Sequence, residues 1–78
     1  MKRGNEQMNE IAKIETEIEV ITIAKELQGW VEERNSRLAY LISRGEYKPN
    51  DKELVMLDEM IEQVETTYEM AMQYLNSF

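Results

Sequence analysis

Apolar residues recur every three or four positions along the last third of the chain, and this spacing restricts the fold more than any other feature. An α-helix turns once per about 3.6 residues, so such residues share one face, whereas a strand would divide them between two faces. The stretch contains no Gly or Pro and follows Pro49, with Asn50 as the expected N-cap and Glu53 closing a capping box. We therefore predict an amphipathic helix over residues 51–77. Its apolar residues are Leu54, Leu57, Ile61, Val64, Tyr68, Ala71, Leu75 and Phe78.

A second series with the same spacing lies in the first half of the chain and predicts a long helix over residues 8–44, ending at a left-handed Gly45. Gly29 is a weak point in it, costing about 1 kcal/mol relative to Ala, and the helix could be kinked or broken. The short loop 45–50 then predicts an antiparallel αα-hairpin in which Arg34 is the one charge between the helices. The series comprises Val20, Ala24, Leu27, Val31, Arg34, Leu38 and Leu41.

Four isoleucines near the N-terminus form a third series, on a helix face nearly opposite to that of Val20. Aligning the two longer series ends the C-terminal helix opposite residues 17–20, so residues 5–16 overhang it and their isoleucines lack a partner. We predict that they form the interface of a homo-oligomeric helical bundle, most simply a homodimer. These oligomer-interface residues are Ile11, Ile14, Ile18 and Ile21.

Two alternatives apply to the same N-terminal segment. The alternation of apolar and acidic residues over 14–20 also fits a half-buried strand, which would need a second copy of the protein as its partner. A monomer would instead require the segment to fold back as a third helix. Residues 1–7 are polar and are expected to form a flexible terminus ahead of the single helical domain.

Composition narrows the function. The 78 residues include 16 acidic and 9 basic side chains, giving a net charge of −7, which disfavours direct binding to nucleic acid. The chain has no Cys and no His, so it lacks thiolate ligands, imidazole ligands and the commonest general base. No apolar run is long enough for a membrane span. We expect a cytoplasmic protein that is not an enzyme and uses no cofactor or metal.

A second stripe on the C-terminal helix is rich in methionine, which is typical of adaptable binding surfaces. Trp30 lies beside Gly29 and one turn before Arg34, a composition common at interfaces, and Tyr47 lies at the tip of the predicted loop. The candidate partner-binding residues are Met56, Met60, Met70, Tyr74, Trp30 and Tyr47.

These features predict a regulatory protein that acts by binding another protein. The alternative is a small acidic inhibitor, such as a phage or mobile-element product, that mimics nucleic-acid charge or blocks its target. Strong salt dependence of binding would favour the acidic inhibitor, and sensitivity to Met→Ala changes would favour the apolar surface.

Overall fold

The computed structural model describes the backbone of residues 2–78 and the side chains of residues 8–78. Two helices, α1 (Lys2–Ser43) and α2 (Lys52–Asn76), pack against each other, and residues 2–78 contain no strand. The hairpin measures 66 × 16 × 13 Å. The predicted all-α hairpin is confirmed. Helix α1 begins at Lys2, ahead of the expected start at residue 8; the side chains of residues 1–7, expected to form a flexible terminus, lie outside the described part.

Helix α1 continues without a break through residues 14–20, where a strand was the alternative, and through Gly29, where the sequence allowed a kink or break. Residues 14–20 are helical, so the strand alternative is wrong for the isolated chain, and the fold-back of a third helix is absent from residues 2–78. The hydroxyls of two threonines in this part of α1 donate hydrogen bonds to carbonyls of the preceding turn. The Thr16 hydroxyl donates to the Ala12 carbonyl (2.8 Å), and the Thr22 hydroxyl donates to the Ile18 carbonyl (2.9 Å).

The two long apolar series form the interface between the helices. Every member of the α1 series is buried or half-buried, and so is every member of the α2 series except Phe78, which is 43% exposed. The lowest exposures, 2–4%, belong to Leu41, Leu54 and Leu57, so the best-packed part of the core lies next to the loop. Thr16 is also buried although its residue type did not mark it as core.

Helix α1 ends where glycine was expected to end it. Gly45 adopts φ +67°, the left-handed conformation that side chains with a Cβ disfavour. Its N–H donates to the Ile42 carbonyl (3.1 Å), and the Glu46 N–H donates to the Leu41 carbonyl (2.9 Å). These two bonds are the Schellman motif, which satisfies the last helical carbonyls and turns the chain toward α2.

The N-cap of α2 is Asp51, so the prediction of Asn50 and its capping box with Glu53 is wrong. The Asp51 carboxylate accepts a hydrogen bond from the Leu54 N–H (3.1 Å), which puts Leu54 in the position that a capping-box acid would need. The Asp51 carboxylate also forms an ion pair with Arg37 of α1, which the uncharged side chain of Asn50 could not form. This partner in α1 gives the physical reason for the later start.

Helix α2 lies further toward the N-terminus of α1 than the aligned series predicted. Ser77 and Phe78 line a shallow depression together with Asn9, Glu10 and Lys13, beyond the expected end at residues 17–20. The overhang of residues 5–16 is therefore shorter than expected, and Thr16 lies in the covered part.

Candidate interaction surfaces

The four isoleucines of the predicted interface form an exposed apolar face on α1, called here the isoleucine face. Their exposed fractions are nearly equal, at 57, 55, 57 and 55% for Ile11, Ile14, Ile18 and Ile21. Val20, on the opposite side of the same helix, is only 8% exposed because α2 covers it. The isoleucine face is thus uncovered because it points away from α2, and it stays uncovered even where α2 reaches further than expected.

The side chains around the isoleucine face are mainly acidic. Glu15 and Glu17 flank the isoleucine face, one on each side. Lys13 and Lys25 are cations near this face, and all four side chains are exposed. Met8, 69% exposed, extends the apolar surface by one turn. The arrangement is an apolar strip with charged borders, which is typical of a helix that packs against another helix.

The methionine stripe of α2 is divided by the fold into an open part and a packed part. Met56, Met70 and Tyr74 are 52, 66 and 59% exposed. Met60 is half-buried and borders a shallow depression with Ile23 of α1. The Tyr74 ring meets Phe78 edge-on, with ring centroids 5.2 Å apart and an interplanar angle of 81°.

Trp30 and Tyr47 occupy different environments. Trp30 is half-buried and borders a depression with Glu26, Gly29 and Glu33. Because Glu26 also borders the depression at Met60, the structure brings Trp30 and Met60 to the same side of the hairpin. Tyr47 lies in the loop and is 48% exposed.

Arg37 and the start of α2 form the main polar contact between the helices. Arg37 Nη2 lies 3.1 Å from Asp51 Oδ1, and Arg37 Nε lies 3.1 Å from Glu53 Oε2. The hydrogen bond from Arg37, aided by the Leu54 N–H, lowers the pKa of Asp51, and the same bond raises the pKa of Arg37. Arg37 also lies 5.7 Å from the Tyr40 ring centroid. This contact fixes where α2 begins on α1.

Arg34, the charge within the helix interface, pairs with Asp58 of α2 and remains partly exposed. Its position is consistent with a guanidinium that extends past the apolar contacts to reach a carboxylate. Arg44 stacks over Tyr40 at 5.2 Å and pairs with Glu46 at 3.5 Å. Three of the four arginines therefore have acidic partners within the described side chains.

The net negative charge is concentrated on α2 and its N-cap, because almost no basic residues accompany the acids there. Residues 51–78 contain seven acidic residues and a single Lys52. Glu59 and Glu62 border a shallow depression with Gln63, Thr66 and Thr67 on this helix. Among the side chains of residues 8–78, no three acidic groups come together in a geometry that could hold a metal ion.

Comparison of the chain with known families, curated proteins and solved structures finds no match in any of the three. In the described part of the chain, neither helix combines the length and apolarity needed to cross a bilayer. Sequence reasoning missed the Arg37–Asp51 contact because the pairing depends on the register of the helices. The sequence held one signal for this contact: Asp51 lies next to the predicted cap Asn50, and Arg37 lies near the end of the preceding helix.

Proposed function

We propose that this protein is a non-enzymatic interaction module that works as a homodimer joined through its isoleucine face. The supporting observation is the equal exposure, 55–57%, of four isoleucines on the side of α1 that α2 does not cover. Large aliphatic side chains scattered singly are ordinary on a surface, whereas four in one strip mark an association site.

The energy available from this face sets the strength of the dimer. Full burial of one such side chain is worth about 1.5–3 kcal/mol, so burying the remaining half of eight isoleucines gains roughly 6–12 kcal/mol. Lost translational and rotational freedom costs about 4–15 kcal/mol. The balance gives a dissociation constant no tighter than about 1 μM. Such a dimer is reversible and suits a regulatory protein.

Sedimentation velocity at several hundred micromolar protein tests the interface, because a dimer this weak would dissociate during co-purification. We expect the unmodified protein to sediment as a dimer, and the double variant Ile14→Lys/Ile18→Lys to sediment as a monomer, since facing lysines would repel across the dimer. Glu62→Lys/Glu69→Lys on exposed positions of α2 is the matched control and should still sediment as a dimer. Loss of the dimer in the control alone would place the interface on α2 and contradict the proposal.

A second candidate function, inhibition of a target by an acidic surface, is supported by the charge of α2. The seven acidic residues and one lysine of residues 51–78 would compete for a basic nucleic-acid-binding surface. Binding to such a target should weaken steeply with salt and with Glu59→Gln/Glu62→Gln, whereas the isoleucine variants should leave it unchanged.

A further inference from the structure

Open, shallow depressions lie along α1 on the C-terminal side of the isoleucine face, and together they are called here the groove. Three depressions follow one another along α1, and neighbouring ones share bordering residues. The first is bordered by Ile23, Glu26, Met60 and Val64. The second is bordered by Glu26, Gly29, Trp30 and Glu33. The third includes Gly29, Glu33, Arg37, Tyr40 and Glu53. From Ile23 to Tyr40 the groove is about 25 Å long, which is the length of a helix of about 17 residues.

Gly29 marks the middle of this groove. A Cβ at Gly29 would meet no atom of the chain within 4 Å, so packing inside the hairpin does not call for a residue without a side chain. Glycine inside a helix is unfavourable, and it permits another backbone to approach closely. Gly29 borders two of the three depressions and stands next to the half-buried Trp30. The missing side chain leaves room for a partner.

The charge of the groove defines what that partner carries. Glu26, Glu32 and Glu33 border it from α1, and Glu53 borders it from α2. Arg37 is the one cation among these bordering residues, and Asp51 and Glu53 already neutralise it. A cationic partner would therefore meet an uncompensated acidic border.

The apolar residues of the groove define the shape of the partner. Ile23, Trp30 and Met60 contribute apolar surface beside Glu26 and Glu33 of α1. Methionine adapts to different apolar side chains, and Trp is favoured at the centre of interfaces. An amphipathic helix presents an apolar stripe with polar flanks, and so matches apolar residues with acids beside them.

We propose that this groove binds a basic amphipathic helix of another protein, with lysines or arginines facing Glu26 and Glu33 and an apolar stripe on Trp30 and Met60. This inference deepens the interaction function proposed above by naming the partner class, on the part of α1 that follows the isoleucine face. A second copy of the chain is a poor occupant, because its own exposed apolar strip is flanked by Glu15 and Glu17.

Trp30 is the only tryptophan in the chain, so its fluorescence reports directly on the groove. The probe is an 18-residue peptide of leucine and lysine with the leucines at helical spacing. The control peptide has the same composition with the leucines redistributed around the helix. We expect the amphipathic peptide to shift the emission of Trp30 to the blue in a saturable titration, and the control peptide to bind at least tenfold more weakly. Equal binding of both peptides would mean that only the positive charge of the peptide matters, and would overturn the proposal. The absence of an emission shift with the amphipathic peptide would also overturn it.

Variants locate the site. Gly29→Leu fills the approach point with a better helix former, so we expect unchanged or higher helicity and thermal stability together with at least tenfold weaker peptide binding. Thr66→Leu, which adds leucine to the exposed side of α2, should bind as the unmodified protein does. Glu26→Gln/Glu33→Gln should weaken binding severalfold more than Glu62→Gln/Glu69→Gln, which removes the same charge elsewhere. Peptide affinity unaffected by Gly29→Leu would place binding outside the groove.

Sedimentation of the same samples separates this proposal from that of the homodimer. We expect Gly29→Leu to dimerise as the unmodified protein does. A protein that dimerises but does not bind the amphipathic peptide would overturn the groove alone. A monomer that binds the peptide through Trp30 would overturn the homodimer and leave the groove standing.

Discussion

Asp51 both caps a helix and pairs with the other helix, a combination found at no other residue among the described side chains. Its carboxylate caps α2 through the Leu54 N–H and pairs with Arg37 of α1, so one side chain both starts a helix and sets its position. Asp51→Asn retains a capping oxygen and removes the charge, whereas Asp51→Ala removes both. We expect the melting temperature to fall for each variant, and further for Ala. Thermal unfolding followed by circular dichroism measures this, and an equal loss for both variants would mean that the cap contributes nothing.

The same carboxylate gives the hairpin a dependence on acid. The hydrogen bond from Arg37 lowers the pKa of Asp51 below its ordinary value of 3.8. A lowered folded-state pKa means that the unfolded chain takes up the proton first as the pH falls. The stabilisation from Asp51 is therefore complete above pH 3.8 and disappears as the pH falls through the lowered pKa. Melting temperatures of the unmodified protein and Asp51→Asn should differ at pH 6 and converge in acid, and a constant difference would contradict this assignment.

Burial distinguishes two aliphatic residues of α2 that are close in sequence. Leu57 is 2% exposed and Val55 is 41% exposed. We expect Leu57→Ala to lower the free energy of unfolding by about 2–5 kcal/mol, as for other buried leucines. Val55→Ala should change it by about 0.5 kcal/mol or less. Urea denaturation of the two variants measures the difference, and similar losses would mean that the core face of α2 is misassigned.

At the scale of the elements, the two glycines described in helical surroundings should respond in opposite directions to alanine. Gly45 has φ +67°, where a Cβ costs about 1–2 kcal/mol, so Gly45→Ala should destabilise the hairpin by about that amount. Gly29 lies within α1 with open space around it, so Gly29→Ala should stabilise by about 0.5–1 kcal/mol. Denaturation curves of both variants measure these changes. A loss of stability in Gly29→Ala would contradict the expectation, because packing within the hairpin does not require glycine there.

The helices and their contact faces could be predicted from the spacing of apolar residues because burial in a two-helix hairpin follows helical periodicity. The Schellman turn at Gly45 could be predicted because only glycine readily takes that conformation. The cap at Asp51 and the position of Phe78 could not, because both depend on how far α2 slides along α1. Apolar series that repeat every turn permit several registers, and the choice is made by contacts such as Arg37 with Asp51, which sequence spacing does not encode.

The candidate surfaces were predictable to a different degree. The isoleucine face was predicted from periodicity alone, and each of its four residues is exposed. The groove was not predictable as a whole, because its depression at Met60 is bordered by both helices and their juxtaposition depends on the register. Met60 and Trp30 were each singled out by residue type, and only the folded hairpin puts them on one side.

At the scale of the whole molecule, a hairpin only 13–16 Å across has little interior, and few residues are fully buried. Association would add apolar burial that the isolated chain lacks, so it should raise stability by mass action. We expect the melting temperature of the unmodified protein to rise with protein concentration, and that of Ile14→Lys/Ile18→Lys to stay constant. The same rise in the double variant would show association through another surface.

The most direct test of the isoleucine face is sedimentation equilibrium of the unmodified protein from a few to several hundred micromolar. The predicted result is a weight-average mass that rises with concentration toward twice that of one chain. Ile14→Lys/Ile18→Lys should keep the mass of one chain throughout. A mass of one chain for the unmodified protein at the highest concentration would contradict the homodimer.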